Sequence, residues 1–252
     1  MKTGLRDSQR RSELRVFVQF YLCICPPEKG DGIRGIFVTF EGIDGCGKTT
    51  QLNRLAEALK ARGESVVLTR EPGGTPIGQQ IRSLLLSKDH IGLDPAAELL
   101  LYASDRREHV AKVITPSLER GMIVLCDRYV DSTIAFQGYG RGLDLALIES
   151  LNRVATGGLK PELTILLDLE PSLAAERLAA RAPASAGVHP KDRLDDEHSD
   201  FHIRVRDGYL ELAAAEPERI HVIDSSGSPE QSQQKVMAIA LPVVKSILET
   251  AR

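Results

Sequence analysis

The run Gly42-Ile43-Asp44-Gly45-Cys46-Gly47-Lys48-Thr49 has the residue types and spacing to hold a polyphosphate. Glycines at 42, 45 and 47 let a chain turn its backbone N–H groups toward one point, where they meet phosphate oxygens. Lys48 is placed to reach the β- and γ-phosphates of a nucleotide, and the Thr49 hydroxyl to ligate Mg²⁺. Such a loop works between a buried strand and a helix whose N-terminal dipole faces the phosphate. Residues 35–41 (GIFVTFE) are apolar and β-branched enough for that strand, and 50–61 (TQLNRLAEALKA) repeat apolar residues at helical spacing. This context makes the chain a nucleotide-handling protein.

The elements that must position the loop recur along the chain. Strand-like runs at 65–69, 122–126, 163–169 and 220–223 alternate with segments of helical periodicity. Five strands separated by helices predict an α/β fold, a doubly wound parallel sheet of the phosphate-loop NTPase type with flanking helices. Ligands in such sheets bind at the carboxyl ends of the strands, which directs attention to two charged clusters. One is Thr69-Arg70-Glu71-Pro72-Gly73-Gly74-Thr75 after the second strand; the other is Asp127-Arg128-Tyr129 after the third. Asp127 is placed to handle Mg²⁺ or its water, and Arg128 to grip a phosphate bidentately. The alternative is that Asp127 and Arg128 pair with each other, though neighbours on a strand point to opposite faces.

Composition sets the bounds. With 252 residues, 42% hydrophobic and 27% charged, the chain can build one α/β core. A net charge of −3 argues against a general nucleic-acid surface, despite the local basic cluster Lys2, Arg6, Arg10, Arg11 and Arg15. No stretch reaches the roughly 20 apolar residues of a membrane-spanning helix. The basic start, the apolar run 16–25 (VFVQFYLCIC) and Pro26-Pro27 superficially resemble a signal peptide. The absence of a small-residue cleavage site and the need for cytosolic ATP favour instead an appendage over 1–34, from a start codon set too far upstream. Cysteines at 23, 25, 46 and 126 have neither metal-ligand spacing nor a disulfide pattern, which suits a reduced, cytoplasmic chain. Cys46 and Cys126 read as small residues filling tight space, with oxidation as the other option. His109, His189, His198, His202 and His221 share no metal-site spacing and read as surface or helix-face residues without chemistry. Glu41 either supports Mg²⁺ waters or makes a structural hydrogen bond.

Taken in order, FEGIDGCGKTT at 40–50, TREPGGT at 69–75, Tyr102-Ala103-Ser104-Asp105-Arg106, CDRYVDST at 126–133 and FQGYGRG at 136–142 resemble the bacterial thymidylate kinases, over roughly 35–250. The resemblance implies transfer of the γ-phosphoryl group of Mg-ATP to dTMP, giving dTDP and ADP, by a homodimer. It implies that Gly42 to Thr50 bind ATP, with Lys48 catalytic and Thr49, Asp44 and Asp127 about the metal. Arg106 would hydrogen-bond the thymine carbonyl, Tyr102 one turn earlier would stack on the ring, and Thr133 and Gln137 would meet the base edge. Arg128 would bind the monophosphate with help from Asp44, while Arg70, Glu71 and Arg82 belong to the acceptor site. Phe136 stands where an aromatic, often tyrosine, is expected near the sugar.

The segment 177–200 (RLAARAPASAGVHPKDRLDDEHSD) begins as a helix, passes through Ala, Pro, Ser and Gly, and becomes charged before a new helix near Phe201. It reads as a mobile lid, or as a solvated loop. Relatives with glycine at the position of Gly45 supply a lid arginine, so the resemblance makes Arg181 the leading catalytic candidate, with Arg193 and Arg177 as helpers. Two other readings stay open: a kinase for a different small acceptor, and a non-enzymatic nucleotide switch. The lack of an Asn-Lys-x-Asp segment weighs against the switch.

Overall fold

A computed structural model describes residues 35–180, 193–194 and 197–250. Five parallel strands, β1 (Ile36–Glu41), β2 (Val66–Arg70), β3 (Ile123–Asp127), β4 (Leu163–Asp168) and β5 (Ile220–Asp224), form one sheet in the order β2-β3-β1-β4-β5. All five lie within a residue of the strand-like runs in the sequence. The helices are α1 (Lys48–Lys60), α2 (Pro76–Leu86), α3 (Pro95–His109), α4 (Thr115–Glu119), α5 (Val130–Thr133), α6 (Leu145–Thr156), α7 (Pro171–Ala180), α8 (Ser199–Ala215) and α9 (Pro229–Thr250). Widened turns of π type at Val110–Ile114 and Ile134–Gly140 extend α3 and α5.

The central strand β1 is buried along its whole length, so its side chains alternate between two apolar layers rather than between core and water. Ile36, Val38 and Phe40 enter a large core with Leu52, Leu55 and Leu59 of α1 and Val236, Ala240 and Val244 of α9. Phe37 points the other way, into a smaller cluster with Val110, Ile114, Leu118, Val124 and Tyr129. There its ring meets that of Tyr129 edge-on, with centroids 4.8 Å apart.

Register decides where the chemistry gathers. Phe40 pairs with Asp127 across β1 and β3, and Arg70 pairs with Asp127 across β2 and β3. The three strands therefore end level, and the segments that follow them start from one edge of the sheet: the glycine loop, the 71–75 turn and Arg128. Helix α2 is started by Thr75, whose hydroxyl accepts from the Gly78 N–H at 2.9 Å, with Pro76 at the first helical position. Helix α3 starts likewise from Asp94, which caps Ala96 and Ala97 ahead of Pro95. No helix among the described residues is long and apolar enough to cross a membrane.

Candidate active site

The glycine loop requires its glycines for backbone reasons. Gly42 has φ +129°, and a Cβ there would lie 2.4 Å from the Leu167 carbonyl oxygen. Gly45 has φ +86°, and a Cβ there would stand 2.7 Å from the Ala174 carbonyl of α7. Gly45 thus lets α7 pack directly on the loop. Lys48 is buried and donates to the Gly42 and Ile43 carbonyls at 3.0 and 2.9 Å, which holds its ammonium inside the loop. Thr49, exposed at the mouth, donates its hydroxyl to Asp127 Oδ2 at 2.9 Å. Thr50 is exposed on the next position.

Asp127 and Arg128 do not pair with each other. Arg128 has φ +75°, unique among the described non-glycine residues, and this conformation turns its guanidinium back over the glycine loop. Four acceptors hold it: Asp44 Oδ1 at 2.8 Å, the Gly42 carbonyl at 3.1 Å, Ser132 Oγ at 3.1 Å and the Tyr209 hydroxyl at 3.2 Å. Phe136 lies beneath the guanidinium, 4.9 Å from its carbon to the ring centre. Burial by itself would raise the Asp44 carboxyl, but the charges of Arg128 and Lys48 outweigh it and hold Asp44 well below the usual carboxylate range.

Behind Arg128 lies a buried acid. Glu41 accepts from the Tyr129 N–H at 2.7 Å, from Ser132 Oγ at 2.5 Å and from the Tyr209 hydroxyl at 3.0 Å, so both hydroxyls relay between Arg128 and this carboxyl. Burial, then the neighbouring Asp131, push Glu41 up to about 7 from an ordinary 4.5. Between about pH 4.5 and pH 7 the native protein therefore keeps a proton that the unfolded chain releases, and stability falls as pH rises through that window. Asp105, pushed up to about 6 by burial and by Glu71, acts in the same direction; Asp44, with its lowered value, acts only below the window. Glu41→Gln is expected to flatten the slope of unfolding free energy against pH between 5 and 7.5, because Ser132 and Tyr209 can turn their hydroxyls to accept from an amide. Urea unfolding at both pH values measures this, and equal slopes for the two proteins would remove Glu41 as the cause.

The second half of the cleft is built on α3. Residues 102, 105, 106 and 109 share one face at helical spacing, and Asp105, Arg106 and His109 are all buried. Arg106 donates Nε to Glu71 at 2.7 Å, Nη1 to Thr133 Oγ1 at 2.9 Å and to Asn152 at 2.7 Å, and Nη2 to the Tyr129 carbonyl at 2.9 Å. Four of the five guanidinium N–H groups are thereby used inside the protein, which fixes the plane of the group and leaves one N–H of Nη2 for the cleft. The cleft is lined by Asp44, Glu71, Arg82, Tyr102, Arg106, Arg128, Thr133, Phe136 and Gln137, together with Pro72, Ser132 and Leu194. Nearly every residue expected about the acceptor is thus brought to one place. Arg70 is exposed at the end of β2 and is not part of that lining.

Gln137 also has an inward partner, donating to Glu98 Oε1 at 2.9 Å. Glu98 is fully buried and binds Arg141, at 3.3 Å through both Nε and Nη2, and Arg193. This changes the reading of Arg193. Expected as a lid arginine, it is buried in an ion pair with Glu98, donates Nε to the Leu85 carbonyl at 3.2 Å and does not line the cleft. Its neighbour Leu194 does. Arg177 spends one Nη on the carbonyls of Ser225, Ser226 and Gly227 at 2.9 to 3.2 Å, tying α7 to the turn after β5. Arg181 lies outside the described residues.

Four residues of this site carried no chemical assignment in the sequence. Ser132 and Tyr209 bracket Arg128, Glu98 anchors Gln137, and His109 bonds Glu71 at 2.9 Å. Of the surface or helix-face placements expected of His109, the structure gives the helix face, with the ring fully buried and bonded to Glu71 rather than idle. The only signal was its position three residues past Arg106. Cys46 and Cys126 are buried free thiols, and burial pushes both upward, so neither is primed as a thiolate.

The family model for thymidylate kinase matches residues 40–236. A thymidylate kinase from Solidesulfovibrio magneticus is 50% identical over 204 residues, covering 81% of this chain and 98% of its own. One from Geobacter sp. is 54% identical over 198 residues, covering 79% and 88%. The crystal structure of thymidylate kinase from Ehrlichia chaffeensis superposes with a TM-score of 0.64 at 39% identity, over 81% of this chain and 98% of that one. Sheet order, glycine loop, strand-end arginine and α3 pocket thus coincide with a match across most of the sequence, and the chain belongs to the thymidylate kinase family.

Proposed function

We propose that this protein transfers the γ-phosphoryl group of ATP to dTMP, forming dTDP and ADP. The observation that carries this reading is the placement of Arg128. One guanidinium stands between the glycine loop, through Asp44 and Gly42, and the pocket of Tyr102, Arg106 and Thr133. A nucleoside monophosphate with its base against Arg106 would present its phosphate to Arg128, beside the loop that holds the donor. The acceptor phosphate oxygen is already an anionic nucleophile at neutral pH, so the protein needs no strong base. Its task is to align two phosphates, screen their repulsion and exclude water.

Thr49 and Asp127 fit Mg²⁺. They place a hydroxyl and a carboxylate oxygen 2.9 Å apart at the loop mouth, and no cluster of three His, Cys, Asp or Glu is found among the described residues. A cation that binds one or two protein oxygens plus phosphate and water suits such a pair. When bound it would neutralise charge on the transferring group. Lys48 does the same from the loop, and Arg128 holds the acceptor. A lid arginine from 177–200, with Arg181 in the leading place, completes the reading.

Thymine selection rests on the remaining Arg106 N–H, the Thr133 hydroxyl and the amide of Gln137. A single methyl contributes only about 1–3 kcal/mol, so dUMP is expected to turn over roughly 10- to 200-fold less efficiently than dTMP. ADP release with dTMP, dUMP, dCMP, dGMP, UMP and AMP as separate acceptors, against a no-acceptor control, measures this. Turnover led by another acceptor would overturn the pocket assignment, and acceptor-independent hydrolysis alone would restore the switch reading.

Residues 35–252 form the kinase unit in this reading and 1–34 an appendage to it, in a cytoplasmic enzyme. Removing 1–34 is expected to leave kcat and KM unchanged; loss of activity would make the segment part of the enzyme. Assembly as a homodimer is supported by exposed apolar side chains on neighbouring helices: Ile77 and Leu84 of α2, Leu100 of α3, and Leu145, Leu147 and Val154 of α6.

A further inference from the structure

Glu71 has two carboxylate oxygens and is buried, so each needs its own donor. Oε2 takes Nε of Arg106 at 2.7 Å, and Oε1 takes Nδ1 of His109 at 2.9 Å. Because the carboxylate accepts, the proton of the imidazole lies on Nδ1; in the neutral ring Nε2 then accepts the Thr69 hydroxyl, 2.6 Å away. The ring is also seated against the 71–75 turn: a Cβ on Gly74 would come within 2.5 Å of its Cδ2 and Nε2. His109 is thereby fixed by the end of β2, by the turn and by Glu71, one helical turn below Arg106.

We propose that His109 is a positioning residue for nucleobase recognition, holding Glu71 in the rotamer that aims the free Arg106 N–H at the acceptor's base. Two donors, Arg106 and His109, share a single buried carboxylate. If Nδ1 is removed, Oε1 is left buried without a donor, and the relief open to Glu71 is to rotate toward another N–H. Rotation withdraws Oε2 from Arg106 Nε. The Arg106 guanidinium is then held only through Nη1 and Nη2, so its plane can tilt, and the remaining N–H no longer has a fixed direction. The effect falls on the base pocket and not on the glycine loop, because the side chains of Glu71 and His109 bond only Arg106, Thr69 and each other; Glu71 meets Asp127 solely through its backbone N–H, 2.9 Å from the Asp127 carbonyl, which a side-chain rotation leaves in place.

This inference rests on Arg106 reading the base, and the side-chain amides separate it from a structural role. In asparagine, Nδ2 occupies the place of imidazole Nδ1 and can still donate to Glu71, but nothing reaches Thr69. In glutamine, the terminal group reaches the place of Nε2 and Thr69, but no donor faces Glu71. Both truncate the ring and both are expected to lower the melting temperature. Steady-state kinetics of full-length His109→Gln should show KM for dTMP raised about tenfold, with KM for ATP and kcat within about twofold of wild type. His109→Asn should recover most of the wild-type KM for dTMP despite its lowered melting temperature. Equal KM values for the two variants, or a rise in both KM values together, would overturn the proposal. Arg106→Lys provides the separating control. If it raises KM for dTMP while His109→Gln does not, Arg106 still reads the base and His109 is only a packed residue. If Arg106→Lys leaves KM for dTMP unchanged, the assignment of the pocket itself fails.

Discussion

Replacing Lys48 with alanine is expected to lower kcat by at least about 10³-fold while leaving the protein folded. Removing one preorganised donor from a dry site already costs about 10²–10³ in rate, and Lys48 carries a full charge to the phosphates. In this structure the ammonium is buried and held against the carbonyls of Gly42 and Ile43, 3.6 Å from Asp44. The Gly42 carbonyl keeps the Arg128 guanidinium as donor at 3.1 Å and the Ile43 carbonyl keeps the Cys46 N–H at 3.4 Å, so neither is left without a partner and the fold is not at risk. The glycine loop keeps its N–H groups, and ATP affinity should fall far less than kcat. Single-turnover ADP formation with dTMP and saturating ATP, beside a thermal melt, measures both. A folded variant with wild-type turnover would remove the loop from the chemistry.

Arg106→Ala is expected to cost about 3–5 kcal/mol of stability as well as the acceptor site. Arg106 is 1% exposed, and its guanidinium satisfies Glu71, Thr133, Asn152 and the Tyr129 carbonyl at once. Truncation leaves four acceptors in the interior, one of them a carboxylate retaining only His109 as partner. Asn152 is already short of one partner, since its Nδ2 makes no hydrogen bond. Lysine does not substitute well, because a single ammonium cannot span four acceptors set around a plane. Urea unfolding measures the first effect, and the rise in melting temperature on adding dTMP measures the second. Wild-type stability in the alanine variant would mean that the network contributes nothing net; a preserved dTMP-induced shift would place the base elsewhere.

The two predictions differ in how far each could be seen from residues alone. Lys48 was legible because local motifs are short: glycines at fixed offsets precede the lysine, and the carbonyls that hold its ammonium, Gly42 and Ile43, lie six and five residues away. The five strands were equally legible, because each is a short apolar or β-branched run between helical segments, although the edge strands β2 and β5 leave Leu68 and Val222 exposed. Arg106 as a base reader came from resemblance, and nothing in its sequence neighbourhood announces partners at 71, 129, 133 and 152. Arg193 shows the opposite error. A charged residue in an Ala, Pro and Asp-rich stretch reads as solvated or mobile, yet it finds buried Glu98, 95 positions away.

What the sequence determined by itself is the phosphate loop, the order and type of the elements and hence the strand edge at which ligands gather. Those follow from local sterics and from the periodicity of apolar residues. Only the tertiary structure decided which charges face the cleft and which face each other. That choice depends on burial, because a carboxylate such as Glu41, Glu71 or Glu98 placed out of water must collect every donor that three or four distant segments can bring to it. The arginines and hydroxyls so recruited are the ones whose direction is fixed, and Arg128 and Arg106 owe their aim to those buried acids.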